Sequence, residues 1–231
     1  MVIEHDHVSP PGAIGERFIQ RGYAVVEHVV VGKEYFHIPA VTAAFPSPTD
    51  FDAIVAMGAP WSVYADEAVG SWVRPELDLL RTAHAEGVPV LGICFGGQLL
   101  ASAHGGTVEA SDHPELGWTE VSTDDPELVP AGPWFQWHSD RWTVPPSAVE
   151  VARNPAASQA FVLGRNLAVQ FHPELDAHML RLWLGNGGAP ILAERGVDLE
   201  HLISATEALE AHSRARARRL VDAFLDRVAL A

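Results

Sequence analysis

Apolar and polar positions change rhythm twice along the chain. In the first hundred residues, short apolar runs alternate with segments whose apolar residues recur every three or four positions. Residues 2–5 are a short apolar start. Residues 14–21 carry a helical pattern closed by Gly22, and residues 24–31 are a β-branched run that reads as a strand. Residues 51–57, Phe-Asp-Ala-Ile-Val-Ala-Met, read as a buried strand ending at Gly58. A helix is predicted over 75–86, started by Pro75 and stopped by Gly87, followed by a buried strand over 88–93 and a helix over 96–104. This alternation predicts right-handed crossovers and a parallel sheet covered by helices on both faces.

Between residues 105 and 171 the rhythm becomes short strands, 117–122, 134–137, 149–153, 160–163 and 167–171, separated by Gly, Pro, Asn and Asp. That pattern predicts an antiparallel region appended to the sheet. Gly185-Asn186-Gly187-Gly188 then reads as a loop, and Ser204-Ala205-Thr206-Glu207 as a capping box opening a last helix. Leu220, Val221, Phe224, Leu225 and Val228 give that helix one apolar face, with Arg214, Arg216, Arg218 and Arg219 as its solvated face. The expected fold is α/β: a doubly wound, mostly parallel sheet with an antiparallel annex, forming a single domain over 1–231.

Composition narrows the function. Hydrophobic residues make up 48% of the 231, enough for a sizeable core. Asp and Glu number 30 against 15 Lys and Arg, a formal charge of −15 that repels phosphate backbones and speaks against nucleic acid as a partner. The N-terminal segment lacks the basic-then-apolar order of a signal peptide, and no apolar run is long enough for a bilayer, so no membrane association is expected. One cysteine excludes an intrachain disulfide. A cytoplasmic enzyme suits these facts, and the lone thiol becomes a candidate nucleophile.

The segment Gly92-Ile93-Cys94-Phe95-Gly96-Gly97-Gln98 places Cys94 between a buried strand and a helix, within Gly-x-Cys-x-Gly. This is a nucleophile elbow with cysteine as the nucleophile: Gly92 and Gly96 leave room for the tight turn, and the N–H groups opening the helix favour negative charge on sulfur. A thiol nucleophile needs an imidazole, and the imidazole needs an orienting group. Of twelve histidines, His172 stands out, at the end of the apolar run Ala168-Val169-Gln170-Phe171, with Pro173 ending the strand and Glu174 two residues on. His5 and His7 flank Asp6 without further placed ligands, so no metal or other cofactor is expected. Trp134, Trp137 and Trp142 gather around His138 and read as packing of the antiparallel region.

Together, Gly92 to Gln98 and Phe171-His172-Pro173-Glu174 resemble the class I glutamine amidotransferases, whose triad is Cys-His-Glu. Met57-Gly58-Ala59-Pro60-Trp61-Ser62-Val63-Tyr64 is similar to their Gly-Gly-Pro-x-Ser-Val-Tyr loop, and Gln136-Trp137-His138-Ser139-Asp140 to the Ser-His-x-Asp stretch of the glutaminase domain of GMP synthetase. The resemblance implies a flavodoxin-like fold and hydrolysis of a γ-glutamyl amide by Cys94, His172 and Glu174. It also implies an oxyanion hole from the backbone N–H groups of Ala59 and Phe95, with Gly58, Pro60, Gln98, His138 and Ser139 around the substrate. Three departures are Ala59 for the second glycine of the loop, Gly97 for a bulkier residue and Trp137 for serine. The last two are expected to change the size of the pocket.

The implied substrate is a small molecule, glutamine or a γ-glutamyl compound. Three enzyme readings stay open: an ammonia-delivering subunit beside a separate synthetase, a free-standing glutaminase, and a γ-glutamyl peptidase. A non-catalytic sensor of the same fold is the alternative outside enzymology.

Overall fold

The computed structural model describes residues 1–230. Its central strands are apolar on both faces because helices cover both. Nine strands form one sheet in the order β2-β1-β3-β4-β9-β8-β7-β5-β6. The first five, β2 (Glu27–Val29), β1 (Val2–Glu4), β3 (Ile54–Ala56), β4 (Val90–Ile93) and β9 (Asn166–Val169), run parallel. The remaining four, β8 (Ser158–Leu163), β7 (Val149–Arg153), β5 (Val108–Thr123) and β6 (Gly132–Trp142), pair antiparallel, as the punctuated middle segment predicts.

Alternate strand residues serve opposite cores. Val55, Leu91 and Val169 join Ile14 and Phe18 of α1 (Gly12–Gln20) and Leu220 and Val221 of α6 (Leu199–Ala223). Ile54, Val90 and Ala168 join Trp72 and Leu80 of α2 (Asp66–Ala85) and Leu99 and Leu100 of α3 (Phe95–Ala103). A third cluster joins Phe135 of β6 to Met179 and Leu180 of α4 (Ala177–Trp183), Leu192 of α5 (Ala189–Glu194) and Leu202 of α6. Each fully buried Leu or Phe contributes about 1.5–3 kcal/mol of transfer free energy. Among the described residues, no helix is long and apolar enough to cross a membrane.

Several boundaries differ from expectation. The run read as a strand over 24–31 pairs only at Glu27–Val29, because this strand lies at the sheet edge and has one neighbour. Helix α2 begins at Asp66, nine residues before Pro75. Val69, Trp72, Val73, Glu76, Leu79, Leu80 and Ala83 keep one buried face through the proline. Pro75 and Ser71, whose carbonyl the proline leaves without a helical donor, are both exposed, so the gap in the hydrogen-bond ladder falls on the solvent side of the helix and not in the core. Helix α6 likewise starts earlier than its capping-box pattern. Asp198 is the cap, its carboxylate accepting from the His201 N–H at 3.0 Å, while Thr206 lies within the helix and accepts from Trp118 Nε1 at 3.0 Å. Arg216 leaves the solvated face assigned to it: it donates to the Pro133 carbonyl at 2.5 Å and its guanidinium sits 5.2 Å from the Trp134 ring centroid. The Gly185–Gly188 stretch interrupts the helical path between α4 and α5, with Gly187 at φ 103°.

One histidine couples this scaffold to pH. Burial, helped by His84 and Arg81 nearby, lowers His104 to about 4, and its Nε2 is buried without a partner. The His84 ring packs edge-on at 4.7 Å. A lowered pKa for a base means the folded state holds it neutral, so its contribution is present above the unfolded value near 6.5 and lost as pH falls toward 4. Substituting His104→Leu is expected to remove that acid-side slope and raise stability relative to wild type by about 1 kcal/mol at pH 5, after discounting for solvent. Urea unfolding at pH 5 and pH 8 checks this; an unchanged difference between the two pH values would count against it.

Candidate active site

The carboxyl ends of the parallel strands converge where the strand order reverses between β1 and β3, the position where open α/β sheets bind ligands. His5 and Asp6 follow β1, Met57 and Gly58 follow β3, Cys94 follows β4, and Gln170 and His172 follow β9.

Cys94 caps α3. Among the described residues it is the only non-glycine at positive φ, 50°, with ψ −106°, a strained backbone that costs on the order of 1–3 kcal/mol. Its neighbours show why the elbow needs glycine. A Cβ on Gly96 would lie 2.1 Å from the Ala56 carbonyl oxygen, and one on Gly92 would lie 2.6 Å from the Gly96 carbonyl oxygen. The Gly96 N–H donates to the Met57 carbonyl at 3.0 Å, locking α3 onto the end of β3.

His172 comes to the same edge from β9. Its backbone N–H donates to the Phe135 carbonyl at 2.8 Å, and its ring is covered edge-on by Trp183 at 4.9 Å. His172 Nδ1 donates to Glu174 Oε1 at 2.8 Å, which leaves Nε2, without a hydrogen-bond partner of its own, for the cysteine side. Burial of the ring works to lower its pKa, but Glu174 and then Cys94 outweigh that and raise it to about 10. The protonated ring is thus held between two acidic neighbours. Gly58 completes the corner: a Cβ there would approach His172 Cε1 to 3.0 Å and Cys94 Cβ to 3.8 Å.

A cavity of about 550 Å³ opens on these groups. Cys94, His172 and Gln98 line it, as do Gly58, Ala59 and Pro60 from the loop after β3, and His138 and Ser139 from β6. Glu174 is buried behind His172. Phe95 turns its ring into the core, and only its backbone faces the elbow. Among the described residues, neither the Ala59 nor the Phe95 N–H has a protein acceptor.

His138 is tied in place, Nδ1 to the Asp140 carbonyl at 2.9 Å and Nε2 to Glu115 at 3.1 Å. Glu115 also accepts from Gln159 at 2.8 Å and Asn154 at 2.5 Å. Tyr64 OH donates to Asp140 at 2.8 Å, joining the loop after β3 to β6.

The three tryptophans separate. Trp137 lines the cavity, whereas Trp134 stacks on Phe171 at 4.4 Å and Trp142 packs edge-on to Phe161 at 5.4 Å. Gly97 does not shape the cavity as expected. A Cβ there would lie 3.0 Å from both Trp142 and the Val169 carbonyl, so the glycine lets α3 approach β9 in the core.

Sequence reasoning missed Gln170, whose Nε2 donates to Cys94 Sγ at 3.6 Å and whose Oε1 accepts from Gln98 at 3.4 Å. Its signal was available, since Gln170 and His172 are two apart on one extended segment and share a face. Asp6, Trp61 and Trp183 also line the cavity, and only the tertiary structure brings them there.

The sequence profile described as glutamine amidotransferase class-I matches residues 18–180, well over half the chain. The chain belongs to the class-I glutamine amidotransferase family. Within that family it is 41% identical over 138 residues to the GMP synthase (glutamine-hydrolyzing) of Mycobacterium tuberculosis, covering 53% of this chain and 23% of that protein. It is 35% identical over 137 residues to the same-named protein of Thermus thermophilus, covering 53% and 24%. This amidotransferase-family chain thus spans about a quarter of the length of these curated relatives. A glutamine amidotransferase structure from Methylobacillus flagellatus matches 97% of this chain and 93% of its own at 26% identity, with a TM-score of 0.83. One from Thermotoga maritima matches 97% and 96% at 22% identity, with a TM-score of 0.82, and shows the shared fold.

Proposed function

We propose that this chain, acting as one domain, hydrolyses the γ-amide of glutamine through Cys94, His172 and Glu174. The observation that carries the reading is the strained Cys94 at the helix start, facing an imidazole whose far nitrogen is bound by Glu174 and whose near nitrogen is free. Membership of the amidotransferase family and the glutamine-hydrolyzing activity that the relatives' names carry support it.

In this mechanism Cys94 Sγ attacks the γ-carbonyl carbon, and the carbonyl oxygen takes the negative charge between the Ala59 and Phe95 N–H groups. Two fixed donors there lower the barrier by several kcal/mol, since loss of one such donor costs about 3–4 kcal/mol elsewhere. His172 Nε2 delivers its proton to the departing nitrogen, the C–N bond breaks, and ammonia leaves a thioester. Water attacks the thioester, His172 takes its proton, and glutamate departs as the sulfur is regained. Gln170 and Gln98 steady the sulfur side, and His138 and Ser139 border the substrate. The names of the curated relatives suggest that the ammonia passes to a separate synthetase partner.

A γ-glutamyl compound larger than glutamine is the second reading. The cavity favours it, because about 550 Å³ lies in the range that holds drug-sized ligands. Assays of purified protein on glutamine and a panel of γ-glutamyl peptides and amines decide between them by kcat/KM. Absence of glutamate release from every member would overturn the enzyme reading and leave the sensor.

The raised His172 pKa makes a further expectation. The proton needed by the leaving nitrogen is present below the folded value and lost above it, so kcat/KM should hold through pH 8 and fall on a limb near pH 10. Glu174→Gln removes the carboxylate that raises the ring and should move that limb to lower pH, with a loss of about 100-fold in kcat. A limb that stays in place in the variant would remove Glu174 from the mechanism.

A further inference from the structure

The Gly58 carbonyl and the Ala59 N–H belong to one planar trans peptide unit and point in opposite directions, so fixing one fixes the other. The carbonyl is held from the core side: His5 Nδ1 lies 3.1 Å from Gly58 O. A carbonyl only accepts, so Nδ1 carries the hydrogen. The other ring nitrogen, Nε2, lies 3.0 and 3.1 Å from the two carboxylate oxygens of Glu76. Both side chains are completely buried. The His5 ring is stacked on Trp72 at 5.5 Å and meets the Phe95 ring edge-on at 4.9 Å.

This arrangement is more than filling. Burying a titratable pair costs desolvation that an apolar pair of the same volume avoids. A Cβ on residue 58 would crowd the His172 ring, 3.0 Å from its Cε1, and the glycine that avoids this leaves the following peptide free to turn. A peptide turned the other way would present a carbonyl, not an N–H, to the cavity. Among the contacts of the Gly58–Ala59 peptide, the His5 hydrogen bond is the one that selects its direction.

We propose that His5 and Glu76 are positioning residues that hold the Gly58–Ala59 peptide with its N–H turned into the cavity, ready for the oxyanion. The inference rests on the glutaminase reading given above. The second oxyanion donor belongs to Phe95, whose ring packs on the same imidazole, so one buried histidine sets both donors relative to each other.

The test uses the full chain with His5→Phe, His5→Asn and Glu76→Gln. Steady-state kinetics, the affinity for the product glutamate, and the rate at which iodoacetamide alkylates Cys94 are measured together. Alkylation needs the reactive sulfur but not the oxyanion hole. His5→Phe is expected to lower kcat about 100-fold, with KM, glutamate affinity and alkylation close to wild type. His5→Asn keeps a donor toward Gly58 and should recover about ten-fold of that loss. Wild-type kcat in His5→Phe, or alkylation falling in step with kcat, overturns the proposal.

If His5→Phe does not fold, Glu76→Gln, which keeps an acceptor beside the ring, carries the same comparison with a loss of about ten-fold, and an unaltered kcat overturns it. If the wild type turns over no γ-glutamyl amide, the glutaminase reading fails by itself. The positioning claim is then read from a crystal structure of whichever variant folds. A turned Gly58 carbonyl supports it, and an unmoved one ends it.

Discussion

Replacing Cys94 with alanine is expected to lower turnover of glutamine by about 10⁶-fold, to the residual level of a site that binds substrate without a nucleophile. A methyl group cannot attack a carbonyl, and no other cysteine exists to substitute. Cys94→Ser should fall nearly as far, because a hydroxyl gives up its proton far less readily than a thiol beside the same imidazole. Neither change removes much buried area, and alanine tolerates φ 50° about as well as cysteine, so melting temperature should stay within a few degrees. Glutamine should still bind, which calorimetry on Cys94→Ala measures directly. Turnover in that variant within ten-fold of wild type would remove the sulfur, and with it the thioester, from the reaction.

The second large effect is structural. Gly96→Ala should destabilise the fold by about 3 kcal/mol or more and abolish turnover through the same displacement. The added Cβ would lie 2.1 Å from the Ala56 carbonyl oxygen, 2.6 Å from its carbon and 2.8 Å from its Cβ. None of these atoms can swing aside. Ala56 sits in β3, paired to β1 on one side and β4 on the other. Helix α3 must therefore lift, breaking the Gly96–Met57 hydrogen bond and carrying Cys94 away from His172. For a chain of this size that corresponds to a fall in melting temperature of about 6–12 °C. Gly185→Ala, placed where nothing lies within 4 Å and φ is not positive, is the control and should melt like wild type. A Gly96→Ala protein that also melts like wild type would show that the strand and helix are not in the contact described.

Much of the site is legible in residues because strained chemistry leaves local marks. Gly92 and Gly96 are required within a few residues of Cys94, and Glu174 reaches His172 because Pro173 turns the chain between them. The carbonyl of Glu174 adds a non-local demand: Gly12, at φ 45°, leaves room for it where a Cβ would come within 2.5 Å. Helix α2 shows the opposite situation. Its proline suggests a start, yet a buried stripe from Val69 to Ala83 carries the helix through Pro75, since packing outweighs one lost hydrogen bond on an exposed flank. The capping-box pattern at Ser204 failed for the same reason: α6 already packs from Leu202, and Asp198 supplies its cap.

By itself, the sequence determined the parallel α/β half, the antiparallel annex, the elbow at Cys94 and the imidazole-carboxylate pair after β9, because each is written in neighbours at fixed short spacing. Only the tertiary structure decided that His5 and Glu76, 71 positions apart, meet behind Gly58, that Gly97 faces Trp142 and not the cavity, and that Trp183 covers His172. Those contacts arise between elements that the chain order separates. Their partners are chosen by which strand ends the sheet brings to one edge and which helices close over it, a choice that no local pattern of residues encodes.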